Sequence, residues 1–114
     1  MRFLLMLFDD PAAWADVAPA EMEQVMAQHD RLTQALKAQG KWIACERLRP
    51  SAEAATMRVQ NGRHVVTDGP FAETKEVMGG YYLVDCASRA EAVEWAARLP
   101  LAGRSTVEIR GLWD

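Results

Sequence analysis

The chain has 114 residues, half of them apolar and a quarter charged, with a formal net charge of −3. That length suits a single domain with its own core, and the composition is that of an ordinary soluble globular protein. The acidic surplus argues against a nucleic-acid surface, which normally carries a basic face, and no apolar run approaches membrane length.

The opening run Phe3-Leu4-Leu5-Met6-Leu7-Phe8 is too short for the apolar region of a signal peptide, and Asp9-Asp10 follow it directly. Its near-continuous apolar character over residues 2–8 predicts a strand covered on both faces, and therefore central in its sheet. Residues 9–18 read as a connection, with Pro11 and one helical turn through Trp14. Pro19 opens a helix: proline suits the first helical position, Glu21 and Glu23 favour the positive end, and Gly40 stops it. Along that helix Met22, Val25, Met26, His29, Leu32, Thr33 and Leu36 recur at the spacing of one face. His29 lies near the centre of this stripe and is expected to face the sheet.

A strand from Trp42 to Leu48 is stopped by Pro50. Residues 55–67 read as a hairpin, because Asn61-Gly62 is the preferred two-residue turn between alternating runs; His64 then falls opposite Val59. Tyr81 to Asp85 is a further strand, and its two tyrosines point to opposite faces, so at most one can line a cleft. Ser88 caps a second helix, with Glu91 three residues on to complete a capping box. Apolar side chains cover most of that helix's circumference, which hints at a partner subunit. Pro100 and Gly103 end it, and Thr106 to Leu112 alternates as a last strand.

Setting the hairpin aside, the order is βαββαβ, the ferredoxin-like α+β arrangement of an antiparallel sheet with both helices on one face. One domain spans residues 1–114. The second face of such a sheet is bare in a monomer, so a homodimer is expected. Cys45 and Cys86 fall on separate predicted strands and read as reduced, mostly buried thiols of a cytoplasmic protein. Metal and cofactor sites are not expected: His29, Cys45, His64 and Cys86 are singletons without close ligand pairs, and no phosphate-binding glycine loop or nucleophile elbow occurs.

The segment Asp68-Gly69-Pro70-Phe71-Ala72-Glu73-Thr74-Lys75-Glu76, closed by Gly79-Gly80, concentrates the remaining chemistry. Gly69-Pro70 sets a rigid turn beside Asp68, Lys75 stands between two acids, and the two glycines allow another backbone or a ligand to come close. A small-molecule site is one reading. The other is structural: Asp68 bonded to its own turn, Phe71 as a core plug, and Glu73 to Glu76 as a solvated turn.

Extended to Val66-Thr67 before it and Tyr81-Tyr82 after it, this segment resembles the signature of the YCII-related proteins, in the branch named for its DGPF motif. The similarity runs along nearly the whole chain. It implies a ferredoxin-like domain that pairs through its sheets as a dimeric α/β barrel. His29, with Leu36 and Gly40 at the family's spacing, looks like a histidine proposed in that family to pair with an aspartate as an acid/base dyad, and Asp68 is the aspartate of the matching segment.

Two functional expectations follow. In the first, the protein is a small enzyme using general acid/base catalysis on a small organic molecule. His29 is the base or acid, Asp68 its orienter, Lys75 and Arg47 anchors for an anionic group, and Glu73 and Tyr81 further contacts. In the second it is a non-enzymatic binding or regulatory module. That expectation comes from the resemblance, since similar proteins are often encoded beside extracytoplasmic-function sigma factors.

Overall fold

In the computed structural model, which describes residues 1–114, the opening apolar run forms strand β1 (Arg2–Asp9). A single helical turn, α1 (Pro11–Trp14), and the long helix α2 (Pro19–Ala38) follow, then β2 (Trp42–Arg47). Next come the paired strands β3 (Ala55–Gln60) and β4 (Arg63–Asp68), then β5 (Val77–Asp85), α3 (Arg89–Ala96) and β6 (Ser105–Gly111). Four strands make an antiparallel sheet in the order β2-β5-β1-β6, with β3 and β4 forming a separate two-stranded sheet. The class is α+β, and the order of the main sheet is compatible with a ferredoxin-like fold.

The period-2 alternation of β1 decides which side is core. Phe3, Leu5 and Leu7 are buried, as are Tyr82 and Val84 of β5, and all pack with Leu32 and Leu36 of α2 and Ala92, Trp95 and Ala96 of α3. Both helices therefore lie on one face. Leu4, Met6 and Phe8 point the other way, with Tyr81 and Leu83 beside them, and are only half-buried. β1 is an inner strand, as its sequence predicts, but only one of its faces is covered within the chain.

The helix boundaries have local causes. Gly40 takes a left-handed φ of 68°, and the bonds Gly40 N–H to Lys37 C=O and Lys41 N–H to Leu36 C=O close a Schellman motif. At α3 the Ser88 hydroxyl accepts from Glu91 N–H at 3.2 Å, while the Glu91 carboxylate accepts from Ala87 N–H at 3.1 Å, one residue before the cap. The helix ends at Ala96, ahead of Pro100, and Ala90, Val93 and Ala97 remain exposed on its outer side.

Asn61 and Gly62 have φ of 51° and 75°, the pair of positive values that a type I′ hairpin turn needs, and Val59 sits opposite His64. Met57, Val59 and Val66 are 58–65% exposed on one face of this hairpin. Phe71 beyond it is 77% exposed, so it plugs no core in this chain. The projection of the hairpin raises the radius of gyration to 16.2 Å, against about 13 Å for a compact chain of this length.

Strand β5 begins at Val77, not at Tyr81 as its sequence predicts, and takes Gly79-Gly80 into the strand. A bulge between Leu7 and Phe8 leaves Gly79 as the extra residue, between the pairs Leu7 with Gly80 and Phe8 with Met78. Because Leu36 is fully buried where α2 meets the sheet, Leu36→Ala is expected to cost about 2–5 kcal/mol. Urea unfolding followed by circular dichroism measures it.

Candidate functional site

His29 is half-buried between α2 and the sheet, with its Nδ1 2.7 Å from the Tyr82 hydroxyl. The two rings stack at 5.9 Å between centroids and 18° between planes. Tyr82 reaches the helix because it alternates with Val84 on the core face of β5, opposite Leu5 on one side and Cys45 on the other. The Cys45 thiol accepts from Trp42 Nε1 at 3.4 Å and lies 3.7 Å from the Thr33 hydroxyl, so the phenol is bordered by a small set of weakly polar groups.

Burial lowers the pKa of the His29 ring below its ordinary value, and the Arg47 guanidinium acts in the same direction; the carboxylates of Asp30 and Asp9 pull it up without reversing the shift. The ring is therefore neutral at pH 7. Burial raises the pKa of the Tyr82 phenol, so it stays protonated. With the imidazole proton on Nδ1, the ring donates to Tyr82 and Nε2 holds a lone pair, as a general base requires. In the other tautomer Tyr82 donates and Nε2 carries the proton.

Asp9 ends β1 on the core face, in phase with Leu5 and Leu7. Its Oδ1 accepts from Trp14 Nε1 at 3.2 Å and from the Ser105 hydroxyl. Its Oδ2 lies so close to Gly79 that a Cβ there would be 2.6 Å away. Gly80 is equally restricted, since a Cβ would stand 2.9 Å from the Glu46 carbonyl on β2. The sequence expectation that these glycines admit close neighbours holds, and the neighbours are a carboxylate and a backbone. α1 is tied over this end of the sheet by Arg104, which donates to Ala13 C=O at 3.1 Å, stacks on Trp14 at 5.4 Å and pairs with Glu21.

Of the residues singled out from sequence, His29 and Arg47 are brought into electrostatic reach of each other. Arg47 itself is exposed at the end of β2, opposite Gly80. Asp68 is exposed at the end of β4, on the separate hairpin, and is not a hydrogen-bond partner of His29 within the chain. Its neighbour Gly69 extends the pairing of β3 with β4, with its N–H on Ala54 C=O and its C=O accepting from the Thr56 hydroxyl. Glu73 and Lys75 are exposed, and Lys75 forms no ion pair with the flanking acids. Tyr81 lies on the helix-free face, away from His29. Two concavities of about 530 and 550 Å³ lie among residues of α2, α3 and the α3–β6 connection, and neither is lined by His29 or Asp68.

Sequence reasoning overlooked Tyr82 and Asp9. The alternation rule separates Tyr81 from Tyr82 but assigns neither to the helix side, and Asp9 reads as loop. The usable signal for both was phase: Asp9 shares parity with Leu5 and Leu7, and Tyr82 shares it with Val84.

An α+β domain with a neutral histidine held by a buried tyrosine under its long helix is thus defined. The chain belongs to the YCII-related domain family, whose model matches residues 1–114. It is also similar to an uncharacterised protein of Rhizobium meliloti (strain 1021), with 38% identity over 114 residues, covering 98% of this chain and 92% of that one.

Two outcomes are expected. Since the folded-state pKa of His29 is depressed, the unfolded chain binds the extra proton first as acid is added. His29 therefore costs stability as pH falls through and below about 6.5. The urea midpoint of wild type measured against His29→Gln between pH 8 and 5 should fall relative to the variant on the acid side. Among the glycines, Gly80→Ala forces a methyl against rigid backbone and is expected to destabilise by about 1–3 kcal/mol. Gly79→Ala meets a side chain that can turn away, so the chain stays folded while the Trp14 indole N–H resonance moves.

Proposed function

We propose that this protein is a homodimeric α/β barrel that binds a small organic molecule in the cytoplasm and acts on it by proton transfer at His29. The observation that carries this reading is the half-buried, neutral imidazole 2.7 Å from a protonated phenol. A base that is unprotonated at neutral pH, has one nitrogen fixed by a partner and lies within reach of both a guanidinium and a carboxylate has the parts that general base catalysis needs.

The dimer is inferred from the bare sheet face. Leu4, Met6, Phe8, Tyr81 and Leu83 form a half-buried apolar strip on the side of the sheet that carries no helix, and pairing two such faces would bury it and close a barrel. In this reading the hairpin of one copy reaches past the β2 edge of the other copy's sheet, since His29 lies on the helix side, and brings Asp68 to that imidazole. Arg47 and Lys75, both exposed, hold an anionic group of the substrate, with Glu73 beside them.

A second reading is favoured by one observation, the exposed apolar hairpin face formed by Met57, Val59 and Val66 with Phe71 nearby. On that reading the protein is a binding or regulatory module of a sigma-factor system, and the hairpin docks a protein.

Titration of His29 by NMR in wild type and Asp68→Asn, with sedimentation equilibrium on both, tests the first reading. The expected result is a dimer in which the ring titrates near neutrality, raised by Asp68 against the effect of burial, and shifts down when the Asp68 charge is removed. A ring that does not titrate, or that ignores Asp68, eliminates the dyad and leaves the hairpin as a docking element.

A further inference from the structure

A groove lies in the helical layer, on the side of the sheet opposite the apolar face proposed for dimerisation. Between α2 and the connection from α3 to β6 it has a volume of about 530 Å³, lined by Gln28, Arg31 and Leu32 on one wall and Arg98, Leu99 and Leu101 on the other, with Pro100 and Ala102 at the connection. That volume falls within the range of small-ligand sites, about 300–1,000 Å³.

Its electrostatics differ from those of the chain as a whole. The protein is acidic, with a formal net charge of −3, yet two arginines from different elements, Arg31 and Arg98, line this groove. Neither forms an ion pair: the five in the chain involve Met1, Lys41, Arg49, Arg104 and Arg110. Arg98 also lines the neighbouring concavity together with Glu91, Glu94 and Trp95, and it stacks over the Trp95 ring, 4.7 Å from its centroid. Stacking engages the face of a guanidinium and leaves its N–H edge to donate. Leu32 and Leu99 form a buried apolar floor, and Pro100 and Leu101 are half-exposed above it. Cationic donors above an apolar floor suit a ligand with one anionic head and one apolar body.

We infer that the groove between Arg31 and Arg98 binds a small amphipathic organic anion, a carboxylate whose head lies between the two guanidiniums and whose apolar body rests on Pro100 and Leu101. The site is separate from His29 and does not depend on the chemistry proposed there.

The test uses the whole protein, isotopically labelled, titrated with 4-phenylbutyrate, with 4-phenylbutan-1-ol and with acetate. The butyrate is expected to shift the backbone amides of Arg31, Leu101 and Ala102 with a dissociation constant of ~1 mM or tighter. The alcohol, which lacks the charge, and acetate, which lacks the body, should each bind about tenfold more weakly. Arg31→Gln and Arg98→Gln should each weaken butyrate binding by about tenfold as well, since each removes one charged donor. Both side chains are exposed, so these variants fold, and their spectra away from the groove serve as the check. The inference is overturned if butyrate leaves these amides unmoved at about 10 mM, if the alcohol binds as well as the acid, if acetate alone binds equally, or if both glutamine variants keep full affinity. Shifts confined to residues around His29 would also overturn it.

Discussion

The site depends on bare backbone at Gly79 and Gly80. A Cβ at Gly80 would collide with the Glu46 carbonyl, so β2 pairs closely with β5 only because none is there. That pairing sets Cys45 beside Tyr82 and Arg47 beside Gly80. On the other edge of β5, the absence of a Cβ at Gly79 leaves room for the Asp9 carboxylate, which Trp14 and Ser105 then hold from α1 and β6. One dipeptide thus lets three strands and the α1 turn converge at the end of the sheet, a short way along β5 from Tyr82. The bulge at Gly79 is what allows β5 to take the extra residue without turning Tyr82 off the core face.

Only 14 of the 114 residues are buried, and the chain extends over 49 × 41 × 18 Å. The thin dimension is that of two layers, helices over a sheet, with nothing below. A sheet that is apolar on both sides but covered on one is an incomplete structure in water. The hairpin repeats the problem on a smaller scale, because an isolated two-stranded ribbon is marginal by itself and its Met57, Val59 and Val66 face carries Asp68 and His64 in the same phase. The residues that most need cover and the carboxylate that most needs a role therefore lie on one surface. This is the physical argument for the proposed dimer.

Periodicity and turn chemistry made most of the fold legible. The type I′ turn at Asn61-Gly62, the stop at Gly40, the cap at Ser88 and the inner position of β1 all rest on local rules that tertiary context did not override. What failed locally is also instructive. Phe71 reads as a plug because large aromatics are usually buried, but no element of the same chain lies where it points. Gly79-Gly80 reads as loop because glycine weakens strands, whereas here it is the close approach of neighbours that calls for it. The direction in which His29 faces was legible from its helical phase, but its neighbours Tyr82 and Asp9 were not, since their places follow from the strand register between β1, β2 and β5. Register belongs to pairs of strands, and neither strand's own sequence states it.

A phenol and a carboxylate make different demands on an imidazole. A carboxylate stabilises the imidazolium and so raises the pKa; a neutral phenol fixes the ring without favouring its charge. Within the chain His29 has the phenol as its hydrogen-bond partner and feels Asp9 and Asp30 only through space. Burial then prevails, and the ring remains a free base at pH 7. Adding a directly bonded Asp68 from a second copy would shift that balance upward, toward the range where an imidazole both takes and returns a proton near neutrality. Assembly and basicity would then be linked: the same packing that covers the apolar hairpin would complete the partner set of His29. The monomer's low ring pKa is the state from which that change would start.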